Sequence, residues 1–196
     1  MVDIEYIYAN ILAGFQHIFT APSRDLSILW LLIPIILFWL FLEIYFGRFK
    51  KEKLGWNSAM GNGLSIFWIV IISFRIIFAD KPGYFTIGKF IFIIIIGLYA
   101  ISIIYISFNH RIRKKIPFVF ASPTVVYYLS AIAILWINNL IVISRWVMID
   151  LVILFILVLI FEAILKKLIP EAASEPEIAI EQEINKDIEG SLEKVK

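Results

Sequence analysis

Apolar residues along this chain come in long, nearly unbroken runs rather than in the short alternations of a soluble domain. Five of these runs approach the roughly 20 residues that a helix rising 1.5 Å per residue needs to cross a bilayer. They predict spans at about 26–46, 58–78, 88–108, 123–143 and 146–166. Polar punctuation supports them. Asp25 stands at the N-cap position of the first span, and Gly47 is expected as a left-handed stop behind it. Asn57 is the expected cap of the second, which runs into the turn sequence Asp80-Lys81-Pro82-Gly83. The fourth opens on Ser122-Pro123, a serine N-cap followed by a proline whose missing N–H costs nothing at the first helical position.

Counted on from that start, the fourth span reaches Ile143, and Asn138 and Asn139 lie inside it. The turn before the fifth span is then Ser144–Arg145, and the fifth closes ahead of Pro170. Starting the fourth span near Phe118 instead turns the two asparagines into the loop, with an apolar connection after them. The Ser-Pro start signal favours the first parse.

The two ends of the chain carry a different pattern. Over 1–22, Ile4, Ile7, Ile11, Phe15 and Ile18 recur at helical spacing, with Asp3, Asn10 and Gln16 opposite. That predicts an amphipathic helix, either lying in the membrane surface or packed on the bundle. Asp3 and Glu5 stand where a secretory signal would carry basic residues. In the tail, residues 171–196, Ile180, Ile184, Ile188, Leu192 and Val195 recur between acids, a helical stripe weakened by Gly190. Such a stripe offers itself to a protein groove or folds back on basic loops; the plainer expectation is a solvated acidic tail.

Composition agrees with the pattern. The 196 residues are 61% hydrophobic, and the mean hydropathy is +0.91, against roughly 45–50% apolar residues in a soluble domain. The expected fold is an all-α integral membrane protein, a bundle of five transmembrane helices over residues 23–170. There is no cysteine, which excludes disulfides and thiolate chemistry. Two histidines, His17 and His110, are too few for most zinc sites, and no cofactor is expected. Net charge is +2, but the tail from Glu171 holds eight acids against three lysines, a net −5 that leaves +7 for the body before it.

That positive charge is unevenly placed. Arg48, Lys50, Lys51 and Lys53 follow the first span, Arg111, Arg113, Lys114 and Lys115 the third, and Lys166 and Lys167 close the fifth. The other side has only Arg24, Lys81, Lys89 and Arg145. By the positive-inside rule the N-terminus is expected outside and the C-terminus in the cytoplasm.

Candidate chemistry is sparse. Arg75, Asn138, Asn139 and Asp150 share a depth near the outer face and form a candidate polar cluster, as helix-fixing contacts or as a site for an ion or solute. Glu43 and Glu162 lie near inner span ends, Glu43 expected to reach Lys50 or Lys51 and Glu162 to reach Lys166 at i+4. Ser58, Gly61 and Ser65 fall on one face for close helix packing. The loops with Arg48, Lys50, Lys51, Lys53, His110, Arg111, Arg113, Lys114 and Lys115 are candidate contacts for anionic lipid headgroups, although orientation alone explains most of that charge. No nucleophile elbow and no His-Glu-x-x-His pair is present. The leading expectation is a non-enzymatic anchor, scaffold or accessory subunit whose tail meets a cytoplasmic protein. A small transporter or channel subunit comes second and a lipid-modifying enzyme third. The expected partners are the bilayer, anionic lipids and a soluble protein, with no nucleic acid.

Overall fold

A computed structural model of the protein describes residues 4–49, 55–109 and 119–172. Among these residues every regular element is helical. Helix α1 is Ile4–Phe19, followed by a short α2, Ala21–Arg24, and a 3-10 turn, Leu26–Ile28, that runs straight into α3, Leu29–Arg48. Helix α4, Trp56–Arg75, continues through a π-helical turn, Ile76–Asp80. After a further 3-10 turn at Pro82–Tyr84 come α5, Ile87–Asn109, α6, Pro123–Ile137, and α7, Arg145–Leu168.

Four of these stretches are long and apolar enough to cross a membrane: Leu26–Arg48, Trp56–Asp80, Ile87–Asn109 and Arg145–Leu168. The remaining predicted span needs correction. Helix α6 starts on the Ser122 cap, whose hydroxyl oxygen accepts from the Val125 amide, but it stops at Ile137 after 15 residues. At 1.5 Å per residue it is about 22 Å long, short of a hydrocarbon core of about 30 Å. The stop has a clear local cause. Asn139 takes φ 58°, its amide donates to Trp136 O, and the Leu140 amide reaches back to Leu135 O. Those two bonds are the Schellman arrangement that closes a helix on a left-handed residue. The asparagines are therefore the end of the helix, and Leu140–Ile143 is a non-helical connection to the Ser144 cap of α7.

Two further expectations change. Helix α4 is capped by Gly55, not Asn57, and Gly47 is no left-handed stop, since no described glycine has positive φ. Gly47 is buried inside α3, where a Cβ would lie 3.5 Å from Lys166 Cα and 3.0 Å from Ile169 Cδ1. Its smallness lets α3 and α7 close together, and the Ala172 amide then donates to Arg48 O at 2.9 Å. On α4 the expected packing face is also displaced. Ser58 and Gly61 are exposed and Ser65 half-buried, with open space around Gly61. Ala59, Gly63, Ile66 and Val70 face inward instead, Gly63 against Ile103 and Ile104 of α5. Shifting by one residue rotates a helix face by about 100°, and small residues on a stripe do not themselves say which stripe has a neighbour.

Helix α6 is the hub. It packs on α3 and α4 and more lightly on α5 and α7, while α4 pairs with α5, α3 with α7, and α1 with α7. Leu32, Ile69 and Ile134 belong to one buried cluster and Ile66, Ile93 and Val126 to another, joined around the hub. Outward-facing Trp30, Phe38, Leu98, Val152 and Ile160 leave the rim apolar, as lipid contact requires. Three clefts open between the helices over α6: α3/α4, about 620 Å³, α5/α7, about 640 Å³, and α3/α7, about 310 Å³.

Candidate intramembrane polar site

The four polar residues grouped from the sequence separate into three places. Arg75 has a side chain 73% exposed and pairs with Asp80 through Nε at 3.2 Å, so it is not the partner of Asp150. The π-helical turn brings Asp80 back over Arg75. Asp150 is fully buried on α7, and neither of its oxygens accepts a hydrogen bond from a described residue. It presses on α1 at Gly14, where a Cβ would stand 1.7 Å from Asp150 Oδ2. The face of α1 that meets the bundle is Ile7, Ile11, Gly14 and Ile18, whereas Tyr8, Leu12 and Phe19 remain exposed.

Asn138 and Asn139 belong to a network that closes the C-terminal end of α6. The Asn138 amide group donates to Ile134 O at 2.9 Å. Buried Lys89 donates to Ile137 O at 3.1 Å and to the side-chain oxygen of Asn139, with its ammonium 5.4 Å from the Tyr84 ring. Arg24 donates to the carbonyls of His17 and Leu140, and the Val142 amide lies 3.3 Å from His17 Nε2. Two cations thus meet the orphan carbonyls and the negative end of the helix dipole. These bonds make an irregular backbone tolerable beside lipid. Burial and the neighbouring Arg24 hold His17 below its ordinary 6.5. Hydrogen bonds from Ser27, with Lys81 alongside, hold Asp25 below its ordinary 3.8.

A second polar group lies at the opposite, basic end, where α3, α6 and α7 converge. Thr124, in the first turn of α6, is buried, and its Oγ1 lies 2.9 Å from Glu43 Oε1 and 2.6 Å from Glu162 Oε2. Trp39 Nε1 donates to the same oxygen at 3.1 Å. Lys166 Nζ sits 2.8 Å from Glu43 Oε2 and also bonds Glu162 one turn earlier on α7. Glu43 is 1% exposed. It meets Lys166, its expected partners Lys50 and Lys51 lie outside the described residues, and the Glu162–Lys166 contact at i+4 is present.

Sequence reasoning missed this convergence because it placed Glu43 by depth and not by rotation. A usable signal was present: Glu43 and Trp39, and Glu162 and Val158, are four apart, so each carboxylate shares a helix stripe with an inward-facing neighbour. Of the other candidates, Arg48 is exposed at the end of α3. Lys53, His110, Arg111, Arg113, Lys114, Lys115, Ile180, Ile184, Ile188 and Leu192 lie outside the described residues. Comparison with known protein families, curated proteins and solved structures finds no match to this chain.

Proposed function

We propose that this membrane protein is a small transporter-type component that binds and releases one proton, or a cation in its place, at the Glu43–Glu162 pair. The hydrogen-bond count around Thr124 carries this reading. A hydroxyl has one proton to give and two lone pairs. Trp39 fills one lone pair, and the Thr124 proton serves one carboxylate. Among the described residues no other donor reaches the other carboxylate oxygen, also within hydrogen-bonding distance, and carrying a proton lets it donate to Thr124. With that proton present, one carboxylate balances Lys166 and the group is neutral; without it, a buried excess negative charge is left, which is expensive. The two carboxyls titrate as a pair, so the proton belongs to the site and not to one residue.

Infrared difference spectra of the full chain in lipid, taken across a pH series, test this. A protonated-carboxyl band that vanishes at high pH and is missing in both Glu43→Gln and Glu162→Gln supports the site. Bands from other carboxyls are common to wild type and both variants, so the assignment rests on the difference from wild type. Carboxyl bands unchanged in both variants at every pH overturn it.

A scaffold role for the acidic tail is the second reading, favoured by the Ala172–Arg48 bond, which lays the start of the tail beside the basic end of α3. Co-purification of one defined soluble protein by the full chain, and not by a chain ending at Pro170, supports it. Both readings place the basic end in the cytoplasm and the N-terminus outside, by the positive-inside rule. Cysteines at Gly83 and Lys51 should label from outside and inside respectively.

A further inference from the structure

The carboxylate pair is the polar end of an apolar groove. From Glu43 the inward stripe of α3 continues to Trp39 and Ile35; from Thr124 that of α6 continues to Tyr128 and Ala131; from Glu162 that of α7 continues to Val158 and Leu154. These lower residues line the α3/α7 cleft of about 310 Å³, and Thr124 and Trp39 belong to both cleft and cluster. Steps of seven to eight residues along each helix make the groove about 12 Å long. It opens sideways to lipid, and the volume is at the lower edge of small-molecule sites, enough for one hydrocarbon chain and not for two.

The head of such a ligand is selected by charge and by rings. Two carboxylates face one ammonium, so the site lacks one positive charge whenever the exchangeable proton leaves. Trp39 stands at the cluster, its Nε1 donating to the Thr124 oxygen that both carboxylates approach, and Tyr127 and Tyr128 line the cleft beyond it. Carboxylate charge beside aromatic faces recognises organic ammonium groups, including quaternary ones that cannot donate a hydrogen bond. We infer that the groove takes a single-chain lipophilic cation from the lipid, its alkyl chain along α6 and its ammonium head at Glu43 and Glu162, in exchange for the proton.

This inference rests on the proton-binding reading and names its counter-substrate. In the exchange no covalent bond between heavy atoms changes: the carboxyl O–H gives its proton to water, and the ammonium takes up the charge. Lys166, whose side chain is 34% exposed, spans from the cluster to the aqueous edge and marks the exit.

The test uses the full chain in lipid nanodiscs, lightly buffered, with a pH indicator and infrared detection together. Decyltrimethylammonium is the probe, tetramethylammonium and decyl sulfate the controls. Proton release approaching one per chain is expected with decyltrimethylammonium, with loss of the same carboxyl band. Tetramethylammonium should need at least tenfold higher concentration, and decyl sulfate should release none. Ala131→Phe, which fills the groove below an intact cluster, should keep the band and lose the response at least tenfold. If the band is present but decyltrimethylammonium releases no proton, the inference fails while the proton site stands. Equal responses to tetramethylammonium or decyl sulfate, or an unaltered response in Ala131→Phe, also overturn it. Absence of the band removes both readings.

Discussion

The two ends of α6 bury charge in opposite ways. At its C-terminal end, among the described residues, Lys89 and Arg24 meet neutral acceptors: the carbonyls of Ile137, Leu140 and His17, the amide of Asn139 and the His17 ring. The cations there meet carbonyl and amide oxygens, and the neighbouring His17 ring takes the Val142 amide. At the N-terminal end, two carboxylates compete for one hydroxyl proton and one ammonium. The first arrangement fixes a backbone that has left the helix. The second has one acceptor more than it has protons, the imbalance on which the proposed proton exchange rests. Buried charge alone does not distinguish structure from function; the inventory of donors and acceptors does.

Substitutions should separate the ends in this order. Lys166→Met removes the cation that pairs with both carboxylates among the described residues and should cost about 3 kcal/mol at neutral pH, toward the lower end for a broken buried pair because Lys166 is half-exposed. The loss should shrink on acidification, as a second proton replaces the ammonium; thermal unfolding in detergent at several pH values reads this. An equal loss at every pH would put the two ends in the same class. Lys89→Met deletes charge-assisted bonds to the helix end and should cost about 2 kcal/mol, without the gain on acidification expected of Lys166→Met.

Gly14→Ala should come next, at about 1–2 kcal/mol, because its methyl group displaces Asp150 at the α1–α7 contact. Limited proteolysis of the N-terminal segment should accelerate in that variant while helices α3 to α7 resist. The smallest effect belongs to His17. Its pKa is depressed, so the neutral form is favoured in the fold, and its contribution is complete above its ordinary 6.5 and lost as pH falls through the lower folded value. Imidazolium has no lone pair for the Val142 amide and repels Arg24. Melting curves of wild type and His17→Asn should therefore converge on acidification; curves that stay parallel would remove His17 from the outer network.

Helices, their apolar length and the serine cap at Ser122 were legible because they depend on residues adjacent in sequence. The end of α6 was harder. A continuous apolar run and an asparagine stop both fit residues 137–143, and the decision came from the Schellman bonds and from Lys89, 48 residues earlier, capping Ile137. Grouping Arg75 with Asp150 by depth left their pairing open because equal depth does not imply facing stripes; a π-helical turn gives Arg75 a partner in Asp80. Glu43, Thr124 and Glu162 come from three helices, and nothing local announces that their stripes converge.

The shortness of α6 has an electrical consequence. Buried charge lies at both of its ends, Glu43 and Lys166 near Thr124, Lys89 beside Ile137. Between them only about 22 Å of apolar helix remains, against about 30 Å of lipid outside. If the polar groups at each end follow the potential of their own side, the membrane voltage falls over that shorter distance, and the field along α6 is roughly a third steeper than in the surrounding bilayer. At about 2.3 kcal/mol per elementary charge per 100 mV, a charge moving even part of the way along this helix couples to the membrane potential more strongly than the same step taken through lipid.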